Sequence, residues 1–144
     1  MYPAWPQKVS LAIAVPKETK RAVIAVVDDD EAARESFVAL LETEGYRVET
    51  FASGPGFLEA LPSLDADCVL LDVRMPELDG LSVLEELSKA DAHPPVILMS
   101  ANPKTTSPRR AREFGTLMVL EKPIEEACLF SAIRMALKAG RDGA

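Results

Sequence analysis

The sequence predicts an α/β domain: a three-layer, doubly wound, five-stranded parallel sheet of order 2-1-3-4-5. Two observations predict it. Short apolar runs alternate with amphipathic stretches of helical period through five βα units. The connections between them are short, which forces parallel pairing through right-handed crossovers. Helices on both faces also explain why the strands read as unbroken apolar runs. In such a sheet, ligands sit beyond the carboxyl ends of the strands, where the strand order reverses. Here that place lies between the first and third strands.

The first strand is Ala22 to Val27, running into Asp28-Asp29-Asp30-Glu31. Asp29 or Asp30 can cap the helix that starts near Glu31. Ala33, Phe37, Leu40 and Leu41 lie on one face of that helix, and Gly45 ends it. Tyr46 to Phe51 alternates as a strand. Ser53 opens a shorter helix to about Leu61, where Pro62 stops it. The third strand, Asp67 to Asp72, is followed by the turn signals Met75-Pro76 and Asp79-Gly80. A helix from about Leu81 to Lys89 turns Leu81, Leu84 and Leu87 inward. The fourth strand, Pro95 to Met99, ends in Ser100-Ala101.

The fourth helix is expected to be short. Pro103 and Pro108 resist an early start. Ser107 as N-cap and Pro108 at the first helical position begin it late, and Gly115 ends it. It should cover about two turns, from near Pro108 to Phe114, behind a long loop. Arg109, Arg110 and Arg112 make it locally basic, either as a solvated face or as a surface for acidic partners. The fifth strand, Leu117 to Leu120, runs into Glu121-Lys122-Pro123. The last helix runs from about Glu125 to Ala139, with Ile124, Cys128, Ala132, Ile133, Ala136 and Leu137 as its buried stripe.

Residues 21–139 therefore form one domain. Residues 1–20, broken by Pro3, Pro6 and Pro16, read as a flexible N-terminal extension, although Val9, Leu11, Ile13 and Val15 keep a strand period. Residues 140–144 read as a flexible end, with no second domain after them. A hydrophobic content of 48% rules out a disordered chain, and a net charge of −7 argues against direct nucleic-acid binding. No apolar run can span a membrane and no secretory signal is evident, so a cytoplasmic location is expected. Cys68 and Cys128 are expected to be reduced, buried thiols.

Parallel strands bring Asp28, Asp29, Asp72, Ser100 and Lys122 to one edge. Clustered carboxylates do not ionise together comfortably without a cation, and hard oxygen ligands suit Mg²⁺. A carboxylate beside Mg²⁺ can be a nucleophile toward a phosphoryl group, whose oxygens a hydroxyl and a lysine can hold.

The order of acidic pair, lone Asp, Ser and Lys-Pro, each after its own strand, resembles the receiver domain of two-component response regulators, the CheY-like superfamily with its flavodoxin-like fold. So do the segments VVDDDEAAR, DVRMPELDG and EKP. The resemblance covers about Ala22 to Leu137. FASGPGFLEAL and DVRMPELDG are similar to receivers of the FixJ/NarL type, which precede helix-turn-helix output domains.

The resemblance implies a signalling phosphoacceptor rather than an enzyme with an external substrate. Asp72 is the implied phosphoacceptor. Mg²⁺ is the implied cofactor, held by Asp29 directly, by Asp28 mainly through water, by Asp72, and by the backbone carbonyl of Arg74. Ser100 is the implied switch hydroxyl, the backbone of Ala101 a phosphate contact, and Lys122 the phosphate-binding cation, followed by a cis bond to Pro123. The implied partner is a sensor histidine kinase or a histidine phosphotransfer protein, with homodimer formation among the expectations.

Two departures stand out. Val119 occupies the position where the family usually carries an aromatic switch residue, and the fourth helix is shortened. Both keep open a receiver that signals by protein contact without phosphorylation. Two other classes fit less well. An Mg²⁺-dependent phosphatase with an aspartate nucleophile generally has a second Asp two residues on, where this chain has Arg74. A flavodoxin-like cofactor binder needs a phosphate loop after the first strand, where Asp28-Asp29-Asp30 would repel a phosphate.

Overall fold

The computed structural model describes residues 21–90, 92–102 and 108–142. The expected N-terminal extension, the loop at 103–107 and the Ser107 cap lie outside the described residues. Five parallel strands, β1 (Val23–Val27), β2 (Arg47–Phe51), β3 (Cys68–Asp72), β4 (Val96–Ser100) and β5 (Thr116–Glu121), form one sheet of order β2-β1-β3-β4-β5. Between them run α1 (Glu31–Glu42), α2 (Gly54–Ala60), α3 (Gly80–Ser88) and α4 (Pro108–Glu113), with α5 (Glu126–Asp142) at the end.

Every residue of β1, β3 and β4 is buried. Alternate residues still point to opposite faces, so the unbroken apolar runs serve two cores. On one face Ala25, Val27, Val69, Leu71 and Leu98 meet Phe57 of α2, Leu84 and Leu87 of α3, and Ala111 of α4. On the other, Ile24, Val26, Leu70, Ile97 and Met99 meet Leu41 of α1 with Leu129 and Ile133 of α5. Each fully buried Leu, Ile or Phe contributes about 1.5–3 kcal/mol, which fixes the helices on the sheet and hence the strand ends relative to one another.

Asp30 is the N-cap of α1, accepting from the Ala32 N–H at 3.1 Å. Gly45 and Gly115 follow their helices at φ 86° and 88°, in the left-handed region that glycine takes without strain. The fourth helix has six residues, as its two prolines predict.

Helix α2 ends at Ala60 with Leu61 as its C-cap, in line with the stop expected at Pro62, and a 3₁₀ turn follows at Leu61–Ser63. Pro62 sits at its start, where a missing N–H leaves no hydrogen bond unmade. Two local expectations are corrected. Helix α5 continues to Asp142, so 140–142 are helical rather than a flexible end. Gly140 does not stop it; an added Cβ there would lie 3.5 Å from the Pro95 ring, so the end of the helix passes over the start of β4. Finally, Cys128 is exposed while Cys68 is buried. The buried stripe of α5 is Leu129, Ala132, Ile133 and Ala136, an i, i+3, i+4, i+7 set that leaves Cys128 one step off the face. Burial, with Asp67 adding to it, pushes the Cys68 thiol up to about 12.

The edge strand β5 pairs less regularly. The register slips between Val96 and Ile97, opposite Thr116 and Met118, leaving Leu117 unpaired and 39% exposed.

Candidate functional site: a carboxylate cluster at the strand ends

The register lines up the site. Val27 pairs with Leu71, so the residues that follow them, Asp28 and Asp72, are neighbours at the ends of β1 and β3. Asp72 faces Met99, and Ser100 follows at the end of β4 opposite Glu121. Two backbone bonds carry the pairing past the strands: Val73 N–H to Met99 O at 2.9 Å and Lys122 N–H to Ser100 O at 2.8 Å. The fold thus brings together all five strand-end residues singled out in the sequence: Asp28, Asp29, Asp72, Ser100 and Lys122.

Carboxylate oxygens of Asp28, Asp29 and Asp72 lie within 4.8 Å of one another, a group able to hold a metal ion. Asp28 is fully buried, and both of its oxygens are engaged. Oδ1 accepts from the Asp30 N–H at 2.9 Å and Oδ2 from Lys122 Nζ at 3.1 Å. Asp72 is 6% exposed. Its Oδ1 lies 3.4 Å from Lys122 Nζ and takes the Arg74 N–H at 3.4 Å. Asp29 is exposed, and among the described residues its carboxylate makes no recorded hydrogen bond or ion pair.

The electrostatics follow from this crowding. Burial first, then the neighbouring Asp28 charge, pushes the Asp72 carboxyl up to about 6, against the opposing pull of Lys122 and the Arg74 N–H. Burial of the Lys122 ammonium works against its charge, yet the Asp72 and Asp28 carboxylates more than offset it, so its pKa is raised. Two oxygen-rich groups repelling one another, with a third carboxylate free beside them, is the donor set of a hard divalent cation. The residues present fit Mg²⁺.

Asp29, Arg74 and Ser100 also line an open groove of about 540 Å³ with Val73, Met75, Pro76, Asp79 and Leu81. Ser100 is buried, and its Oγ accepts the Asn102 N–H at 3.1 Å. Ala101 is exposed and borders a second groove of about 510 Å³, beside Lys122, Pro123 and the Phe37 face of α1. The Lys122–Pro123 peptide bond is cis. Val119 is half-buried against the core that α2, α3 and α4 cover.

Two residues at the site were not legible as functional in the sequence. Gly80 reads as a turn glycine after Asp79, but its φ is not positive. It is needed for space: an added Cβ would lie 2.4 Å from the Asp72 carbonyl oxygen and 2.8 Å from the Val73 Cα. The Gly80 N–H donates to the Val73 carbonyl at 2.8 Å, so α3 starts hard against the end of β3. Arg34, in the first turns of α1, reaches back to the Asp28 carbonyl at 2.7 Å. A lone arginine on a helix carries no sequence signal for that contact.

Fold and site together define a class: a doubly wound α/β domain whose strand-end carboxylates, hydroxyl and lysine come together at one edge of the sheet. A family model described as "Response regulator receiver domain" matches residues 24–134, and the chain belongs to that family of two-component signalling domains. The chain is 40% identical over 114 residues to the transcriptional regulatory protein FixJ of Azorhizobium caulinodans, covering 79% of this chain and 54% of that protein. It superposes on full-length FixJ from B. japonicum with a TM-score of 0.77 at 35% identity, covering 85% of this chain and 60% of that one. A CheY-like receiver domain protein from Methanospirillum hungatei gives a TM-score of 0.80 at 24% identity, over 86% and 99% of the two chains, a likeness of fold. The chain spans about half the length of the curated relatives it matches. Among the described residues no helix is long and apolar enough to cross a membrane.

Proposed function

We propose that this chain is a cytoplasmic phosphoacceptor. It takes a phosphoryl group from a phosphohistidine of a sensor histidine kinase or phosphotransfer protein onto Asp72, with Mg²⁺, and thereby switches its protein contacts. The observation that carries the reading is the Asp72 carboxylate, buried at a strand end, beside Lys122 Nζ and within reach of two further carboxylates.

Asp29, Asp72 and the backbone carbonyl of Arg74 would hold the cation, with Asp28, both of whose oxygens are already engaged, acting through water. When bound, Mg²⁺ neutralises the crowded carboxylates and the phosphoryl oxygens. The chain's own groups do the rest. An Asp72 carboxylate oxygen attacks phosphorus in line, the P–N bond to the donor histidine breaks, and the imidazole leaves with the bonding pair. Lys122, already on Asp72 Oδ1, has only to shift to a phosphoryl oxygen to neutralise it. The Ser100 hydroxyl and the backbone of Ala101 are the groups at the end of β4 that can take another. The product puts a group of charge about −2 where a single carboxylate charge stood, a local electrostatic event that biases the elements after β4 and β5.

Mass spectrometry after treatment with acetyl phosphate and Mg²⁺ tests this. The expected result is one phosphoryl group per chain, lost in Asp72→Asn, whose amide is similar in size but no nucleophile. Labelling that persists in the variant would place the acceptor elsewhere. The same experiment bears on a phosphorylation-independent receiver, which Val119 and the six-residue α4 favour; a chain that takes no label with Mg²⁺ present supports that second reading.

A further inference from the structure

The acidic turn after β1 carries the carboxylate on which direct metal binding depends, yet Asp29 has no recorded side-chain partner among the described residues. What aims it must be the backbone. The sheet does not reach that far: the last paired residue of β1 is Val27, and the Asp28 N–H donates to Phe51 O at 3.1 Å. The next backbone group is the Asp28 carbonyl, which lies in the peptide plane joining Asp28 to Asp29. Arg34 Nη1 donates to that carbonyl at 2.7 Å, shorter than the other bonds holding the turn, which run from 2.9 to 3.1 Å.

We infer that Arg34 is a positioning residue for the metal site: by holding the Asp28 carbonyl it sets the direction in which Asp29 presents its carboxylate to a divalent cation. This rests on the phosphoacceptor reading above. A change in ψ of Asp28 that φ of Asp29 does not offset swings the Asp29 Cα and Cβ and carries the Asp28 carbonyl with it, so a carbonyl held in place resists it. Arg34 has a rigid base from which to block that rotation. Its own N–H donates to Asp30 O at 3.0 Å, the first hydrogen bond of α1, and Asp30 caps the same helix. Helix, cap and guanidinium therefore close a small loop around Asp28 to Asp30. A hydrogen bond with an ionised donor is roughly twice as strong as a neutral one.

Calorimetric Mg²⁺ titration of the full chain tests the inference, with Arg34→Met, Arg34→Lys and Asp29→Asn as variants. Methionine keeps the apolar stem and the helix preference but removes the donor. Lysine keeps a charged donor of similar reach. The expected result is about tenfold weaker Mg²⁺ binding for Arg34→Met, recovery to within about threefold for Arg34→Lys, and loss of binding for Asp29→Asn. At saturating Mg²⁺ the acetyl phosphate labelling rate of Arg34→Met should return to within about twofold of the parent, because Arg34 touches no reacting atom. Unchanged affinity in Arg34→Met, with binding lost in Asp29→Asn, overturns the positioning role and leaves the phosphoacceptor reading standing. Unchanged affinity in Asp29→Asn overturns the metal site itself. Equal losses in Arg34→Met and Arg34→Lys, matched by equal losses of stability to urea, would mean that Arg34 acts on folding, and that too overturns the inference.

Discussion

On the β1–β3 side of the site, backbone groups hold the carboxylates. Asp28 accepts the Asp30 N–H, Asp72 accepts the Arg74 N–H, Arg34 holds the Asp28 carbonyl, and Gly80 sets α3 against the end of β3. On the β4–β5 side the described contacts centre on Ser100 and Lys122: Asn102 N–H to Ser100 Oγ at 3.1 Å and Lys122 N–H to Ser100 O at 2.8 Å. β5 is an edge strand of mixed burial with a register slip at its start. Helix α4 has six residues, and its arginines turn to their own neighbours: Arg109 to Glu113 at 3.4 Å, Arg110 over the Phe114 ring at 5.7 Å. On the phosphoacceptor reading, the carboxylates that hold charge need fixed positions, and movement on phosphorylation falls to the elements after β4 and β5. Changes on the first side should therefore disturb stability and chemistry strongly, and changes on the second should leave the chemistry alone.

The largest effect is expected at Gly80. Glycine to alanine inside a helix normally favours folding by about 1 kcal/mol. Here the added Cβ meets backbone at 2.4 and 2.8 Å, atoms that cannot swing aside as a side chain would. Gly80→Ala should lose about 2–3 kcal/mol to overpacking and displace Asp72, lowering acetyl phosphate labelling as well. Urea unfolding reads the first effect and mass spectrometry the second. A neutral or stabilising Gly80→Ala breaks the claim that this side is tightly built.

Asp72 comes next, and its sign is opposite. Its folded carboxyl titrates at about 6, raised from 3.8 by burial and by Asp28. An acid whose pKa is higher in the fold than in the unfolded chain favours folding at low pH. That contribution is lost as pH rises from near 4 through 6, and above 6 the ionised group opposes folding. Asp72→Asn should therefore stabilise the metal-free protein at pH 7.5, by about 1–2 kcal/mol given about 1.4 kcal/mol per pKa unit and solvent at the groove mouth. Its stability should also vary less between pH 4 and 7. Thermal unfolding across that range, without divalent cations, checks both. A variant less stable than the parent at pH 7.5 would mean that Lys122 already neutralises the site.

Much of this was written in the sequence because the physics that wrote it is local. Unbroken apolar runs in β1, β3 and β4 specify buried parallel strands, and short connections then fix their order and bring Asp28, Asp72, Ser100 and Lys122 to one edge. Pro103 and Pro108 announced the short α4. Contacts over distance were not legible. Gly80 is required by the approach of a helix to the strand before it, and Arg34 by the reach of one side chain across a turn. Cys128 failed for a different reason: one residue shifts a helical position by about 100°, so a stripe read one step early exposes a residue taken as core.

The smallest effect is expected at Val119, and it bears most directly on the contrast between the two sides. Val119 stands on β5 opposite Leu98 and packs, half-buried, on the core beneath α3 and α4. Removing its two methyl groups in Val119→Ala should cost about 1 kcal/mol, a little transfer energy plus a small cavity. No atom of that side chain is among those tied to Asp28, Asp72 or Lys122, so Mg²⁺ affinity and labelling by acetyl phosphate should stay within about twofold of the parent. An aliphatic side chain has no ring to rotate and no hydroxyl to hand over, so truncating it removes packing and nothing else. Urea unfolding with Mg²⁺ titration and mass spectrometry on the same samples measures all three quantities. If labelling falls together with stability, the β5 side is coupled to the chemistry through packing. The division between an acidic side that carries the chemistry and a β5 side that leaves it alone would then have to be given up.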